Sequence, residues 1–233
     1  MNSPLSVKLP GPGALALVGS GEYLPRMEPV DRYLMDRLAG PVDVVCLPTA
    51  AGTEGSERIA YWSNLGTSHF TSMGVRSVNP LPVIDRHSAQ DEALAARIRA
   101  ANFVYLSGGK PDYLFNTLIG TAAWAAILSV LEHGGVVAGC SAGAMIFGAR
   151  IPTGFFTGTQ KGFGLLENAF IMPHFDEMPG WIARLAPSLV KDLILVGIEG
   201  NTALVCTKEG LCVEGSGGVT IDHNKNRTRF TQE

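Results

Sequence analysis

Gly134-Gly135-Val136-Val137-Ala138-Gly139-Cys140-Ser141-Ala142-Gly143-Ala144-Met145-Ile146-Phe147-Gly148-Ala149-Arg150 reads as a buried strand, a sharp turn and a helix. Its centre, Gly139-Cys140-Ser141-Ala142-Gly143, fits G-x-S-x-G. That pattern holds a serine on a strained strand-to-helix elbow with its hydroxyl exposed. The flanking glycines let neighbouring backbone approach with no Cβ in the way. A helix starting after Ser141 aims its free N–H groups at the same place and favours developing negative charge there. The stretch therefore predicts Ser141 as a nucleophile.

Short apolar runs and helical segments alternate on both sides of this stretch. Strands are predicted at Ala14–Val18, Val42–Leu47, Val75–Val83 (a poor one, broken by Pro80 and Pro82), Phe103–Leu106, Val136–Cys140, Ala169–Pro173 and Ile194–Ile198. Helices are predicted at Pro25–Ala39, Ser56–Met73, Ala89–Ala100, from Pro111 through Ala122–Glu132, and at Trp181–Val190. The tail changes character: Thr202–Thr207, Leu211–Glu214 and Val219–Asp222 read as short antiparallel strands. The pattern predicts an α/β fold, a doubly wound, mostly parallel sheet with helices on both faces and a small antiparallel C-terminal edge. Residues 1–13, rich in Pro, Ser and Gly, read as a flexible leader, and 14–233 as one α/β hydrolytic domain. In such sheets ligands bind outside the carboxyl ends of the strands. Gly19–Glu22, Pro48–Thr53, Gly108–Lys110, Ser141, His174 and Glu199 all follow predicted strand ends and are expected to converge on one edge.

Composition narrows the function classes. The chain has 233 residues, 46% hydrophobic and 17% charged, enough for a substantial core. A net charge of −3 without a basic stripe disfavours nucleic-acid binding. No apolar run approaches a membrane span, and the N-terminus lacks the apolar core of a secretory signal. The 4 cysteines, Cys46, Cys140, Cys206 and Cys212, show no paired or metal-ligand spacing, so a reduced, cytoplasmic chain is expected. Gly19-Ser20-Gly21 fails the dinucleotide pattern because Leu24 stands where the third glycine belongs. Neither a metal nor a cofactor is expected.

A serine nucleophile needs a base, and the base an orienting acid. Of the 5 histidines only His174 directly follows a strand of the main sheet. It is either the base or a structural residue capping the next helix. Glu199 ends the next strand and is the candidate acid, with Asp176, Glu177 and Asp192 as competitors; a solvated strand-end glutamate is the plain alternative. Asp176 and Glu177 lie so close to His174 in sequence that they fit a pocket-lining role as well. The order Ser141, His174, Glu199 departs from the Ser, acid, His order of α/β-hydrolases. That order would use His223, which sits in the polar Asp222–Asn226 turn. The oxyanion hole is expected from the backbone N–H of Ala142 and of Gly109 in the Gly108-Gly109 turn. Cys140 is the rival nucleophile, as in glutamine amidotransferases. Centring the motif on it would put Ala138 and Ala142 at the flanks, so Cys140 is expected to face the core instead.

Together, Gly139–Ala144, the Ser107-Gly108-Gly109 turn, Pro173-His174-Phe175 and Gly197-Ile198-Glu199-Gly200-Asn201-Thr202-Ala203-Leu204 resemble peptidase family S51. That family includes aspartyl dipeptidase (dipeptidase E) and cyanophycinase, on a class I glutamine amidotransferase-like, three-layer flavodoxin-like fold. The resemblance spans roughly Ala14 to Val205. It implies Ser141 as nucleophile, His174 as base, Glu199 as acid, and Gly109 with Ala142 as oxyanion donors. The substrate it implies is a small peptide or an amide or isopeptide bond, with a homodimer as the assembly to test. Two departures bear on substrate. Lys110-Pro111-Asp112 follows the glycine turn where cyanophycinases have Asp-Gln. Phe175-Asp176-Glu177-Met178-Pro179-Gly180-Trp181 follows the histidine, with no arginine before Arg184. Lys110 is thus a candidate for a substrate carboxylate, and Asp176 and Glu177 for an amino group or basic side chain; solvated loop residues are the plainer reading of all three. A catalytically silent, small-molecule-binding member of the fold and a Cys140-based amidotransferase-like domain remain as other readings.

Overall fold

The computed structural model describes residues 4–153, 158–178, 192–224 and 226–232. The chain begins with β1 (Ala14–Val18), α1 (Glu28–Met35), β2 (Asp43–Leu47), α2 (Ser56–Ser72), β3 (Ser77–Pro80), α3 (Arg86–Ala89) and α4 (Glu92–Ala100). It continues through β4 (Phe103–Leu106), α5 (Pro111–Leu118), α6 (Ala122–Glu132), β5 (Val136–Cys140) and α7 (Ala142–Met145). The rest is strand among the described residues: β6 (Gly148–Thr153), β7 (Gly158–Lys161), β8 (Leu166–Pro173), β9 (Ile194–Ile198), β10 (Thr202–Thr207), β11 (Gly210–Gly215), β12 (Gly218–His223) and β13 (Asn226–Thr231).

The α/β class and the mostly parallel core are as expected. One sheet runs β11-β10-β1-β5-β4-β2-β3. In it β1, β5, β4, β2 and β3 are parallel, while β10 and β11 form an antiparallel edge. Its central strands β1, β5 and β4 are almost wholly apolar and fully buried because both faces are covered. Leu15 and Leu17 on β1, with Leu106 on β4, pack into a core shared with α4–α7 and the second sheet. Alternate residues Ala14, Ala16 and Val18, with Val44, Tyr105 and Cys140, pack against α1 and α2. The edge strand β3 carries Pro80, at a sheet margin where a missing N–H is tolerated.

The strand allocation differs from the sequence reading in two places. β8 and β9, expected as the sixth and seventh strands of the main sheet, stand in a second sheet ordered β13-β12-β9-β8-β6-β7. Apolar runs mark β8 and β9 as buried strands, but nothing local to them says which neighbour each will pair with. The helix expected after Ser141, in the stretch that ends at Arg150, is also shorter. It is the single turn α7, after which the chain enters β6 and pairs Arg150 with Lys161 of β7. The helix expected at Trp181–Val190 lies outside the described residues. Within the leader expected over 1–13, Ser6 N bonds Asn168 Oδ1, Lys8 N bonds the Leu165 carbonyl, and Gly13 N bonds Leu131 O. Among the described residues no single helix is long and apolar enough to cross a membrane.

The two sheets meet where the site forms. Gly19 N donates to the Thr202 carbonyl, and Asn201 N to the Ser20 carbonyl. These bonds bring the loop after β1 against the β9–β10 turn, so the carboxyl ends of β1, β4 and β5 face those of β8 and β9.

Candidate active site

Ser141 sits at φ 52°, ψ −112°, a region that L-residues with a Cβ rarely occupy. Strain of this kind costs about 1–3 kcal/mol and persists only where surrounding structure enforces it. The enforcement comes from backbone contact. A Cβ at Gly139 would run into the Gly143 carbonyl, and one at Gly143 into the Leu106 carbonyl. Both glycines of the motif are therefore needed to let the elbow close on itself and on β4. Ser141 N donates to Val18 O at 3.0 Å, tying the elbow to β1.

His174 arrives from the end of β8. Its Nε2 lies 2.8 Å from Ser141 Oγ, and its Nδ1 lies 3.1 Å from Glu177 Oε2. Residues 174–177 form a turn in which Glu177 N bonds the His174 carbonyl, folding Glu177 back over the ring. Glu177 Oε1 also accepts from Ser20 Oγ at 2.8 Å. The hydrogen bonds from His174, and then from Ser20, hold the Glu177 carboxyl below the ordinary glutamate range. Against an ionised carboxylate the single proton of a neutral imidazole belongs on Nδ1. Nε2 is then left to accept from the Ser141 hydroxyl.

Glu199, expected beside the imidazole as its acid, is not joined to it. The register places it one residue beyond the Pro173↔Ile198 pair, next to His174 along the sheet. Its side chain turns to the other neighbour. Arg229 of β13 donates to both oxygens, Nε to Oε1 at 2.6 Å and a terminal guanidinium nitrogen to Oε2 at 2.7 Å; Gly218 N adds a third bond at 2.9 Å. The Arg229 guanidinium keeps the Glu199 carboxyl below its ordinary value of 4.5. A depressed folded-state value means that this clamp stabilises fully above pH 4.5 and fades as pH falls through the lowered value. Because Arg229 is half exposed, the gain is about 1 kcal/mol or less. Glu199→Gln is therefore expected to unfold at lower denaturant than wild type at pH 7, with the gap narrowing as pH falls below 4.5. A gap of constant size across that range would rule the clamp out.

The remaining expected residues fall as follows. The amides of Ala142 and Gly109 have no hydrogen-bond acceptor among the described residues, while those of Gly108 and Lys110, beside Gly109, are taken by Glu22 and by Ala50 O. Gly109 is held at φ 146°, where a side chain would also strike the Ala50 carbonyl carbon. Lys110 Nζ bonds Thr53 Oγ1 at 2.9 Å, and Asp176 Oδ1 accepts from Gly200 N at 2.8 Å. His223 ends β12 and bonds only its neighbour Asn224 among the described partners, so it does not reach Ser141. Cys140 is fully buried on the α1–α2 side, as expected. Burial first, and then the Glu22 carboxylate, pushes its thiol well above the ordinary cysteine range. A cysteine acts as a nucleophile through its thiolate, so this one is held in the inert form.

The sequence marks Ser20 and Glu22 only as part of the Gly19–Glu22 loop, without individual roles, offers Glu177 both as a competing acid and as a pocket residue, and leaves Arg229 unmarked. The three-residue step from His174 to Glu177 is the local signal for their pairing. Arg229 lies on a strand too polar to stand out.

The pattern of peptidase family S51 matches residues 15–213. Cyanophycinase from Synechococcus elongatus is 31% identical over 165 residues, 65% of this chain and 51% of that protein. Cyanophycinase from Thermosynechococcus vestitus (strain NIES-2133 / IAM M-273 / BP-1) matches with the same figures. The chain thus spans about half the length of these curated relatives. Among solved structures, a peptidase from an acI-B1 Actinobacterium is similar at 35% identity and a TM-score of 0.85, with 94% of each chain covered. A putative peptidase E protein from Listeria monocytogenes EGD-e shares the fold, at 19% identity and a TM-score of 0.64 over 88% of this chain and 99% of that one.

Proposed function

The chain belongs to peptidase family S51, and on that premise we propose that it is a serine-type hydrolase cleaving a small peptide, amide or isopeptide bond. The observation that carries this is the 2.8 Å contact between His174 Nε2 and Ser141 Oγ, made from a strained elbow. His174 takes the hydroxyl proton as Ser141 Oγ attacks the substrate carbonyl carbon. The carbonyl oxygen becomes an oxyanion facing the unclaimed amides of Ala142 and Gly109. Collapse breaks the C–N bond, and His174 gives its proton to the departing amine. Water, deprotonated by His174, then attacks the acyl-enzyme and restores the Ser141 hydroxyl. Glu177 holds Nδ1–H throughout, and we assign it the orienting role in place of Glu199.

The relatives named cyanophycinase and peptidase support a peptide or isopeptide substrate. Lys110 and Asp176 stand as candidate substrate contacts at the rim. The four cysteines are free, which supports a reducing, cytoplasmic setting. Burial of Cys140 counts against the amidotransferase reading. A fluorophosphonate probe tests the proposal. One equivalent of label is expected on Ser141, located by peptide mass spectrometry. An unlabelled, folded protein would favour the silent binding module instead.

A further inference from the structure

Glu22 is a carboxylate with only 8% of its surface exposed, placed directly beneath the proposed site. A buried carboxylate is costly unless its oxygens find donors. Among the described residues no cation lies in salt-bridge reach of it, and its two oxygens take neutral donors instead. Oε1 accepts from Gly108 N at 3.0 Å, and Oε2 from Cys140 Sγ at 2.9 Å. These two donors belong to the residues immediately before Gly109 and Ser141.

The approach is tight. A Cβ on Gly108 would lie 2.9 Å from Glu22 Oε1, 3.3 Å from Ser141 Cβ and 3.7 Å from Ser141 Oγ. Glu22, the glycine turn and the nucleophile are thus stacked on one another. The loop that delivers Glu22 is itself held in an unusual shape. Gly21 and Tyr23 flank it at φ 91° and 62°. Tyr23 is locked among Trp62, His69, Phe70 and Tyr105, with ring centroids 4.7–6.4 Å away. A non-glycine residue held at positive φ marks a conformation that the surrounding packing enforces.

We propose that Glu22 is a positioning residue that clamps the oxyanion turn to the nucleophile strand. This rests on the serine-hydrolase reading of the same site. By engaging the Gly108 amide, Glu22 leaves Gly109 as the amide presented to the substrate oxygen. By engaging the Cys140 thiol, it fixes the end of β5 from which Ser141 turns. The role calls for a carboxylate, because both donors need an acceptor. In Glu22→Gln the carboxamide supplies one acceptor, and its NH2 faces the second donor.

The rate of fluorophosphonate labelling at Ser141 reads this out, since the phosphonyl oxygen occupies the oxyanion hole. Glu22→Gln is expected to slow labelling about 10- to 100-fold, the scale of small misplacements at a reacting centre. Adding Cys140→Ser supplies a hydroxyl that accepts from the new NH2, and is expected to bring the rate back to within about fivefold of wild type, a rescue that general loss of stability would not give. Labelling of folded Glu22→Gln at the wild-type rate, or no rescue by Cys140→Ser, overturns the proposal. If Glu22→Gln does not fold, Glu22→Asp carries the test. It keeps the charge but loses a methylene of reach, so slower labelling is expected and an unchanged rate overturns the clamp. A wild-type protein that takes no label removes the serine-hydrolase reading and the clamp with it. Slow labelling confined to the variants separates the two.

Discussion

Ser141→Ala is expected to abolish fluorophosphonate labelling and lower turnover by about ten-thousand- to million-fold, the range seen when the nucleophile of a serine hydrolase is removed. The fold should persist, because alanine keeps the Cβ and the surrounding contacts and loses only the oxygen that meets His174 Nε2. Ser141→Gly makes a sharper pair with it. Glycine accepts φ 52°, ψ −112° without a Cβ penalty, so this variant should lose activity while shedding about 1–3 kcal/mol of strain, offset by about 0.5–1 kcal/mol of extra unfolded-state entropy. For a chain of this size the net is a rise in Tm of up to about 10 °C. A Tm for Ser141→Gly well below that of Ser141→Ala would mean that the elbow stores no strain. Retained turnover in either variant would move the chemistry away from Ser141 altogether.

Glu177→Gln is expected to lower kcat by about a hundred- to ten-thousand-fold with little change in KM, as when an amide replaces the orienting acid and the imidazole takes the wrong tautomer. Glu199→Gln should cost less than about tenfold, because Glu199 is spent on Arg229 and Gly218 N. The comparison needs a dipeptide and isopeptide panel to supply the substrate. Three outcomes are distinct. A large kcat loss confined to Glu177→Gln supports the arrangement described here. A larger loss in Glu199→Gln returns the acid to the position that family resemblance suggested. A raised KM with kcat intact in Glu177→Gln makes that residue a substrate contact instead. The low-lying Glu177 carboxyl also sets a direction for pH. Its hold on His174 is complete above the ordinary glutamate range and is lost as pH falls through the lowered value.

Much of the fold was legible because its strands are buried on both faces. Ala14–Val18, Phe103–Leu106, Val136–Cys140, Ile194–Ile198 and Thr202–Thr207 are apolar runs bounded by glycine or polar turns, and each forms a strand over that same span. β13 is the counterexample. Asn226-Arg227-Thr228-Arg229-Phe230-Thr231 is an exposed, polar edge strand with no hydrophobic period to betray it. Because β13 was invisible, Arg229 was invisible as well, and with it the reason that Glu199 faces away from His174.

By itself the sequence determined the elbow at Ser141, its two space-limited glycines, the position of His174 after a buried strand, and the family. These are local matters: hydrophobic runs, turn residues and a motif whose spacing reflects backbone contact. Only the tertiary structure decided which sheet β8 and β9 join, and which carboxylate meets the imidazole. It alone placed Glu22 beneath the Gly108-Gly109 turn, 86 residues from Gly108 and 118 from Cys140. For the two carboxylate placements the physical reason is common. A carboxylate goes where donors satisfy it, and here those donors come from chain segments that only folding brings together.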